Sequence, residues 1–418
     1  MTLLNKLLLI TLFLALGYSW FAAAAVNPAA AEFYDAAFPV AAERQPAGKG
    51  LFRYLAADHS LLGYAGISSG AGYAGPVTVG VVFAPGGQIL AVEVLRQQET
   101  VLYYNLLKTA DFFGRFKNRP AGEALVLGEN IDGVSGATYS ARAVTEAVRR
   151  LSGELAVGEL GLLTAEAALR QSWQLGLPEL AVSILLLLPL CRGRFIKQHP
   201  AAGKISRIIL LLLTLALLGF YLRQPLTIVQ IASLGQGNLP QVQTGALWYM
   251  LMGAALLPPL LAGSNFYCHW LCPFGALQEL LGLIRVRRLS IPHNEAVRQV
   301  KKLLLWLVLL LAFLTGKPAL WSYEPFQAAF RFSGGFLAFM LLGIALVAAL
   351  LIPRFWCRTL CPVGTLLDLL SAWRRELFKP KTAQKIGPTA GGDGIAGGFY
   401  VTALGVVILS IFMGIFGV

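Results

Sequence analysis

Apolar runs of membrane-spanning length set the first constraint on this chain. Leu7–Val26, "LLLITLFLALGYSWFAAAAV", carries no charge and follows Lys6. About 20 such residues cross the roughly 30 Å hydrocarbon core of a bilayer. Five clear runs follow later: Ile208–Leu222, Gly245–Gly263, Leu303–Gly316, Phe336–Pro353 and Phe399–Val418. A weaker one, "LPELAVSILLLLPLC", contains Glu179 and two prolines. With 56% hydrophobic and 13% charged residues, the composition is that of a membrane protein rather than a soluble one.

The net charge of +13 follows the same plan. Basic residues crowd three connections: Arg192–Arg207, Arg285–Lys302 and Arg354–Lys385. The intervening loops hold only Arg223 in one case, Lys317 and Arg331 in the other. The positive-inside rule makes the crowded connections cytoplasmic. Topology explains this charge, so nucleic acid is excluded as a partner. The expected location is a bacterial-type inner (cytoplasmic) membrane, crossed several times.

Residues 1–26 then form an anchor, or a signal segment cleaved after its alanines. Either sends residues 27–172 outside, and residues 173–418 form a helical membrane domain. From Val26 to Ser172 there are 14 acidic and 12 basic residues and no cysteine, so the exported segment has no disulfides. Within it, "VTVGVVFAPGGQILAVEVL" predicts a hairpin pairing Val77–Phe83 with Ile89–Leu95. Further on, Val144, Ala147, Val148 and Leu151 recur at helical spacing. The fold class expected is multi-domain: an α+β domain followed by a polytopic α-helical domain.

The membrane half contains a repeat. "FYCHWLCPFGALQELL" and "FWCRTLCPVGTLLDLL" lie 89 residues apart, aligning Cys268 with Cys357, Cys272 with Cys361, Pro273 with Pro362, Gly275 with Gly364 and Glu279 with Asp368. Each copy follows a span running outside to inside, which makes the repeat parallel about an axis along the membrane normal. Such an axis brings four cysteines together at the cytoplasmic surface. Inert buried thiols do not require duplication in register, and disulfides are disfavoured in a reducing compartment. Structural zinc accepts four thiolates, but there is little for it to stabilise at the ends of two helices. An iron–sulfur cluster, expected as 4Fe-4S, also takes four thiolates and is the preferred reading. Cys191 lies apart and is given no role.

A second motif lies in the exported segment. "DGVSGATYS" sets Asp132, Gly133, Ser135, Gly136, Ala137 and Ser140 around Thr138, just ahead of the helix. Glycine for positive φ and Asp or Ser as helix caps would make an ordinary turn. The longer string resembles the flavinylation motif of FMN-binding domains in the Rnf and Nqr electron-transport complexes and in NosR. That resemblance implies FMN held by a phosphoester on the hydroxyl of Thr138, attached by a flavin transferase. Glu99 and Thr100 fall where the family has an acid–Thr pair, although "VLYY" replaces the proline and glycines that often follow. The membrane half looks like the NosR/NapH-type Cys-x3-Cys-Pro iron–sulfur proteins. NosR-type proteins usually end in a soluble ferredoxin domain; this chain has no cysteines left for one, so cytoplasmic electrons are expected from a separate ferredoxin-like donor.

Together these features predict a transmembrane electron conduit between a cytoplasmic-side iron–sulfur site at Cys268, Cys272, Cys357 and Cys361 and FMN on Thr138, serving an extracytoplasmic redox partner. Two sites on opposite faces of a bilayer are too far apart for one tunnelling step. No paired histidines in the spans suggest a b-type haem, since His269 lies inside a Cys motif and His199 and His293 lie in basic loops. A quinone, domain docking or a further membrane subunit would have to bridge them. Glu179 reads as a helix-end residue before a proton or quinone site. The rival function is a redox sensor or maturation factor that carries flavin without steady electron flux. Solute transport is weaker still, because the spans lack convergent charges.

Overall fold

The computed structural model describes residues 3–24, 28–48, 50–99, 101–162, 177–198, 200–240, 245–284 and 295–377. The chain divides into two compact units, Trp20–Gln174 with Asn238–Thr244, and Met1–Ser19 with Leu175–Gly237 and Gly245–Val418. Helix α1, Leu3–Ala24, covers the first apolar run. The expected span Phe399–Val418, together with the basic residues at 285–288 and 379–385, lies outside the described residues.

In the first unit, helix α2 (Pro28–Ala37) precedes five strands: β1 Glu43–Gly48, β2 Leu51–Leu55, β3 Leu61–Ala71, β4 Pro76–Phe83 and β5 Ile89–Arg96. They form one antiparallel meander in sequential order. Helices α3 (Val101–Thr109) and α4 (Thr138–Gly158) follow. The predicted hairpin is β4–β5, with Val79 opposite Val94 and Phe83 opposite Ile89. Its turn closes through Gly87, whose φ of +80° favours glycine. Side chains of strand β4 alternate between faces: Val77, Val79, Val81 and Phe83 are buried on one, while Gly80, buried on the other, leaves room for the Phe33 ring.

The buried face of β4 shares a core with Val144, Ala147, Val148 and Leu151 of α4, the four residues whose spacing marked that helix. Each such side chain contributes about 1.5–3 kcal/mol by leaving water. A smaller cluster of Phe33, Tyr54 and Ala65 is buried on its own. Helix α4 approaches β3 very closely at Gly70, where a Cβ would lie 1.9 Å from the Ala143 carbonyl oxygen. A helix that close fixes the position of its own first turn, which holds Thr138.

In the second unit, α5 (Leu177–Gln198) carries Glu179 in its first turn, a favourable place for an acid. Helix α6 (Pro200–Thr214) continues as π-helical turns to Tyr221. Gly203–Tyr221 is the one helix among the described residues long and apolar enough to cross a bilayer by itself. Ile10–Ala22, Leu177–Pro189, Ala246–Ala262 and Phe336–Leu351 are shorter apolar helices. Then come α7 (Ile228–Gly235), α8 (Ala246–Ala262), a π-helical turn at Tyr267–Leu271 and α9 (Pro273–Leu281). The second half follows a similar plan, with α10 Glu295–Thr315, a 3-10 turn at Pro318–Trp321, α11 Phe326–Arg331, α12 Phe336–Leu351, α13 Phe355–Thr359 and α14 Pro362–Leu377.

One feature of this unit differs from what the sequence suggests. The connections around 223–244 and 317–335 read as plain loops, yet every residue of α7 is buried, as are Phe326, Ala328 and Phe330 of α11. The amide of Ile228 donates to Glu324 Oε2 (2.9 Å), which joins the two inward-folded segments. The chain turns at Gly263 (φ +64°) and at Arg354 (φ +56°), both left-handed. The carbonyl of Trp270 then accepts from Thr214 Oγ1 (3.1 Å). The first Cys motif thus packs along the Gly203–Tyr221 helix, with Pro273 beside Gly219 and with His269 and Glu279 meeting Arg207 towards its basic end.

The close approach at Gly70 yields a direct test. Gly70→Val should destabilise the sheet unit by about 1–3 kcal/mol, as overpacking does, and lower the midpoint of thermal unfolding of the full chain followed by far-ultraviolet circular dichroism. An unchanged midpoint would contradict the packing of α4 on β3.

Candidate functional site

Each unit gathers one group of the residues singled out above. In the sheet unit, Val134–Ala137 form a tight turn, with the Ala137 amide donating to the Val134 carbonyl (3.0 Å). Gly136 has φ +85°, the left-handed region. Thr138 is the first residue of α4 and is exposed, and no side chain caps that helix end. An uncapped helix N-terminus presents backbone N–H groups to an anion, so a phosphate on the Thr138 hydroxyl fits the local chemistry.

Beneath that turn, Ser140 is buried and donates to Glu99 Oε2. Glu99 Oε1 accepts from the Ala74 amide (3.0 Å). The structure therefore joins two predicted residues 41 positions apart. Gly72 and Gly75 make this possible, since a Cβ at either would clash with Glu99 or Gln98. Asp132, Gly133 and Ser135 are exposed. The carbonyls of Asp132 (2.6 Å) and Gly133 (3.4 Å) accept from Arg115, a residue that no motif pointed to. Thr100 lies outside the described residues.

In the helical unit, Cys268, Cys272, Cys357 and Cys361 line one cavity of about 230 Å³. All four are free thiols. Both Cys-Pro steps use the same local device. Proline starts the following helix, where its missing N–H is harmless. The amide two residues further on donates back to sulfur, Gly275 N to Cys272 Sγ (3.4 Å) and Gly364 N to Cys361 Sγ (3.3 Å). The thiols sit where a helix N-terminus favours negative charge.

The two copies of the repeat are tied together crosswise. Asn265 and Arg354 occupy equivalent positions three residues before the first cysteine, and Glu279 and Asp368 are the equivalent acids. Asn265 Nδ2 donates to Asp368 Oδ1 (2.7 Å), and Arg354 donates to Glu279. Arg207 adds two bonds to the same carboxylate (2.5 and 3.0 Å). Fully buried Gln278 accepts from the Trp356 amide (2.9 Å) and donates to Cys357 Sγ (3.4 Å). Arg354 also reaches the Cys268 carbonyl (3.3 Å). Apart from the Arg207 bonds, which brace Glu279 from α6, every tie crosses from one copy to the other or anchors a cysteine.

This arrangement fits a cluster held by four thiolates. Four thiols spaced around a cavity match a group whose several irons each take one thiolate. Burial pushes the Cys272 thiol up to about 12, with Cys357 adding to the effect. Burial likewise raises Cys268, Cys357 and Cys361. Thiolate is the ligating form, so metal binding here would release the thiol protons. The side chain of Cys191 lies outside the described ones.

Comparison with known proteins matches the same two regions. Residues 72–152 match the FMN-binding domain family, and residues 244–292 and 334–381 each fall within a match to the 4Fe-4S binding domain family. Protein NirI of Paracoccus denitrificans is 30% identical over 219 residues, covering 47% of this chain and 31% of that protein. Regulatory protein NosR of Stutzerimonas stutzeri is 26% identical over 224 residues, covering 49% and 30%. Ferredoxin-type protein NapH of Escherichia coli is 30% identical over 159 residues, covering 35% and 52%. The matched stretches span about a third of NirI and NosR and about half of NapH. The chain thus joins an FMN-binding domain to a 4Fe-4S binding domain and is a distant homologue of NosR, NirI and NapH.

Proposed function

We propose that this chain is an integral-membrane electron carrier. The observation that carries the reading is the convergence of four cysteines from two repeats on one cavity, in a chain that also holds an FMN-binding domain. FMN and a 4Fe-4S cluster, when bound, supply the electron-transfer chemistry. Cys268, Cys272, Cys357 and Cys361 hold the cluster, Arg354 and Gln278 fix their positions, and the Thr138 hydroxyl carries FMN as a phosphoester. Covalent attachment keeps the flavin with an exported domain, where free FMN would diffuse away. A flavin transferase is the maturation partner.

The helical unit is embedded in the cytoplasmic membrane, with the repeat parallel and the FMN-binding domain outside. Its exposed surface supports this: Leu261, Phe336, Leu337 and Val347 are largely uncovered on α8 and α12, as lipid-facing residues would be. Arg354 and Arg358 line the cysteine cavity, and this charge suits entry of electrons from a cytoplasmic ferredoxin-type donor. The acceptor is an extracytoplasmic redox protein, reached directly or through a quinone or further membrane subunit. The name "Regulatory protein NosR" carried by one relative favours a second reading, a redox sensor without steady flux. Sustained turnover between donor and acceptor would exclude it.

Two experiments test these assignments. On protein co-expressed with a flavin transferase, denaturing gels should show ultraviolet fluorescence in wild type and in Ser135→Ala but none in Thr138→Ala. A fluorescent Thr138→Ala band would place the flavin elsewhere. Replacing any one of Cys268, Cys272, Cys357 or Cys361 by Ser should remove most of the bound iron and acid-labile sulfide, while Cys191→Ser leaves both unchanged. Full iron content in two or more of the four variants would contradict a shared cluster.

A further inference from the structure

Between the two inward-folded segments lies a carboxyl group that cluster binding does not use. Glu324 is 8% exposed. Its Oε2 accepts from the Ile228 amide (2.9 Å) and faces Ser322 Oγ (3.4 Å), while Oε1 has no hydrogen-bond partner. No lysine or arginine offsets its charge among the described residues. A buried carboxylate without a counter-cation is costly and readily takes up a proton. Burial pushes this one up to about 8, against the opposing pull of the Ile228 amide at the start of α7.

Its position relative to the cysteines is defined from both sides. Leu226 and Phe326, each two residues from one end of the Ile228–Glu324 bond, line the cysteine cavity. Glu324 therefore stands just behind the cavity wall and is hydrogen-bonded to no thiol. The titratable groups that face it are Tyr323 on its own segment and Cys361. Tyr323 donates to the Leu360 carbonyl (2.6 Å), next to Cys361. Helix α7, "IVQIASLG", brings no charge.

We propose that Glu324 is a proton-binding site coupled to the cysteine-held cluster, taking up one proton when that site gains one electron. The inference rests on the cluster reading above. A one-electron donor of the ferredoxin class is oxidised and the cysteine site is reduced. One proton from solvent forms an O–H bond on the Glu324 carboxylate, so no net charge is added to the buried region. Oxidation returns both particles. The cause is electrostatic: added negative charge nearby, in a poorly screened interior, raises the proton affinity of a carboxylate.

The sign follows directly. Reduction raises the affinity of Glu324 for its proton, so the midpoint potential falls as pH rises between the oxidised-state and reduced-state pKa values and is flat outside them. Full coupling means a tenfold change per pH unit, equivalent to about 59 mV for one electron. Mediated spectroelectrochemical titration of the purified full chain between pH 6 and 9 should show this slope in wild type. Glu324→Gln, which keeps the acceptor for Ile228, should flatten it, and Glu324→Asp should restore it with a shifted range. The reduced-minus-oxidised infrared spectrum of wild type should gain a protonated-carboxyl carbonyl band, a readout that stands even if the variants fail to fold. A cluster with a pH-independent potential, or a slope that survives in Glu324→Gln, would overturn the coupling alone. Absence of any cluster signal would overturn the underlying reading as well.

Discussion

The crossed polar clamp between the two halves of the repeat is the interaction on which the helical unit depends. Each Cys motif by itself offers two thiols and a helix start. What makes them one site is that Asn265 of the first copy holds Asp368 of the second, while Arg354 of the second holds Glu279 of the first. Gln278 then ties the second copy's Trp356 amide and Cys357 sulfur to the first copy's helix. Buried polar groups are costly unless paired, so these partners favour one register of the two copies. That register sets four sulfurs around a common cavity.

The sheet unit solves a different problem with less charge. It holds the first turn of α4, with exposed Thr138 at its start, in a fixed position. Close contact at Gly70 and the apolar core fix α4, and a glycine turn at 134–137 leaves the helix end uncapped beside Thr138. Glu99 beneath it ties Ser140 to the Ala74 amide. The same backbone features serve packing and leave the Thr138 hydroxyl exposed at an uncapped helix start.

Much of this was legible because it depends on local pattern. Alternation in β4, helical spacing in α4 and the 89-residue repeat are properties of neighbouring residues, and the structure follows them. The Cys-Pro starts of α9 and α14 were likewise readable. What escaped depends on contacts between distant residues. Nothing near Glu99 points to Ser140, and nothing near Glu279 points to Arg207 or Arg354. The inward folding of 226–235 and 318–330 was hidden for a similar reason: short segments between apolar runs look like loops until a buried partner, here the Ile228–Glu324 bond, is known. The left-handed turn at Arg354, ahead of the second Cys motif, was hidden too, since arginine gives no such signal in sequence.

A conduit of this kind would have its redox sites in separate units, with the polypeptide supplying position, burial and charge on each side. The most direct measurement places fully loaded protein in sealed vesicles, with a membrane-impermeant reductant confined to the face opposite the FMN-binding domain. Flavin absorbance is then followed in wild type and in Cys361→Ser. Electron flow through the cluster predicts that the flavin bleaches in wild type and stays oxidised in the variant, with FMN content equal in both. Flavin that remains oxidised in wild type, or bleaches equally without the cluster, would contradict electron flow through this chain.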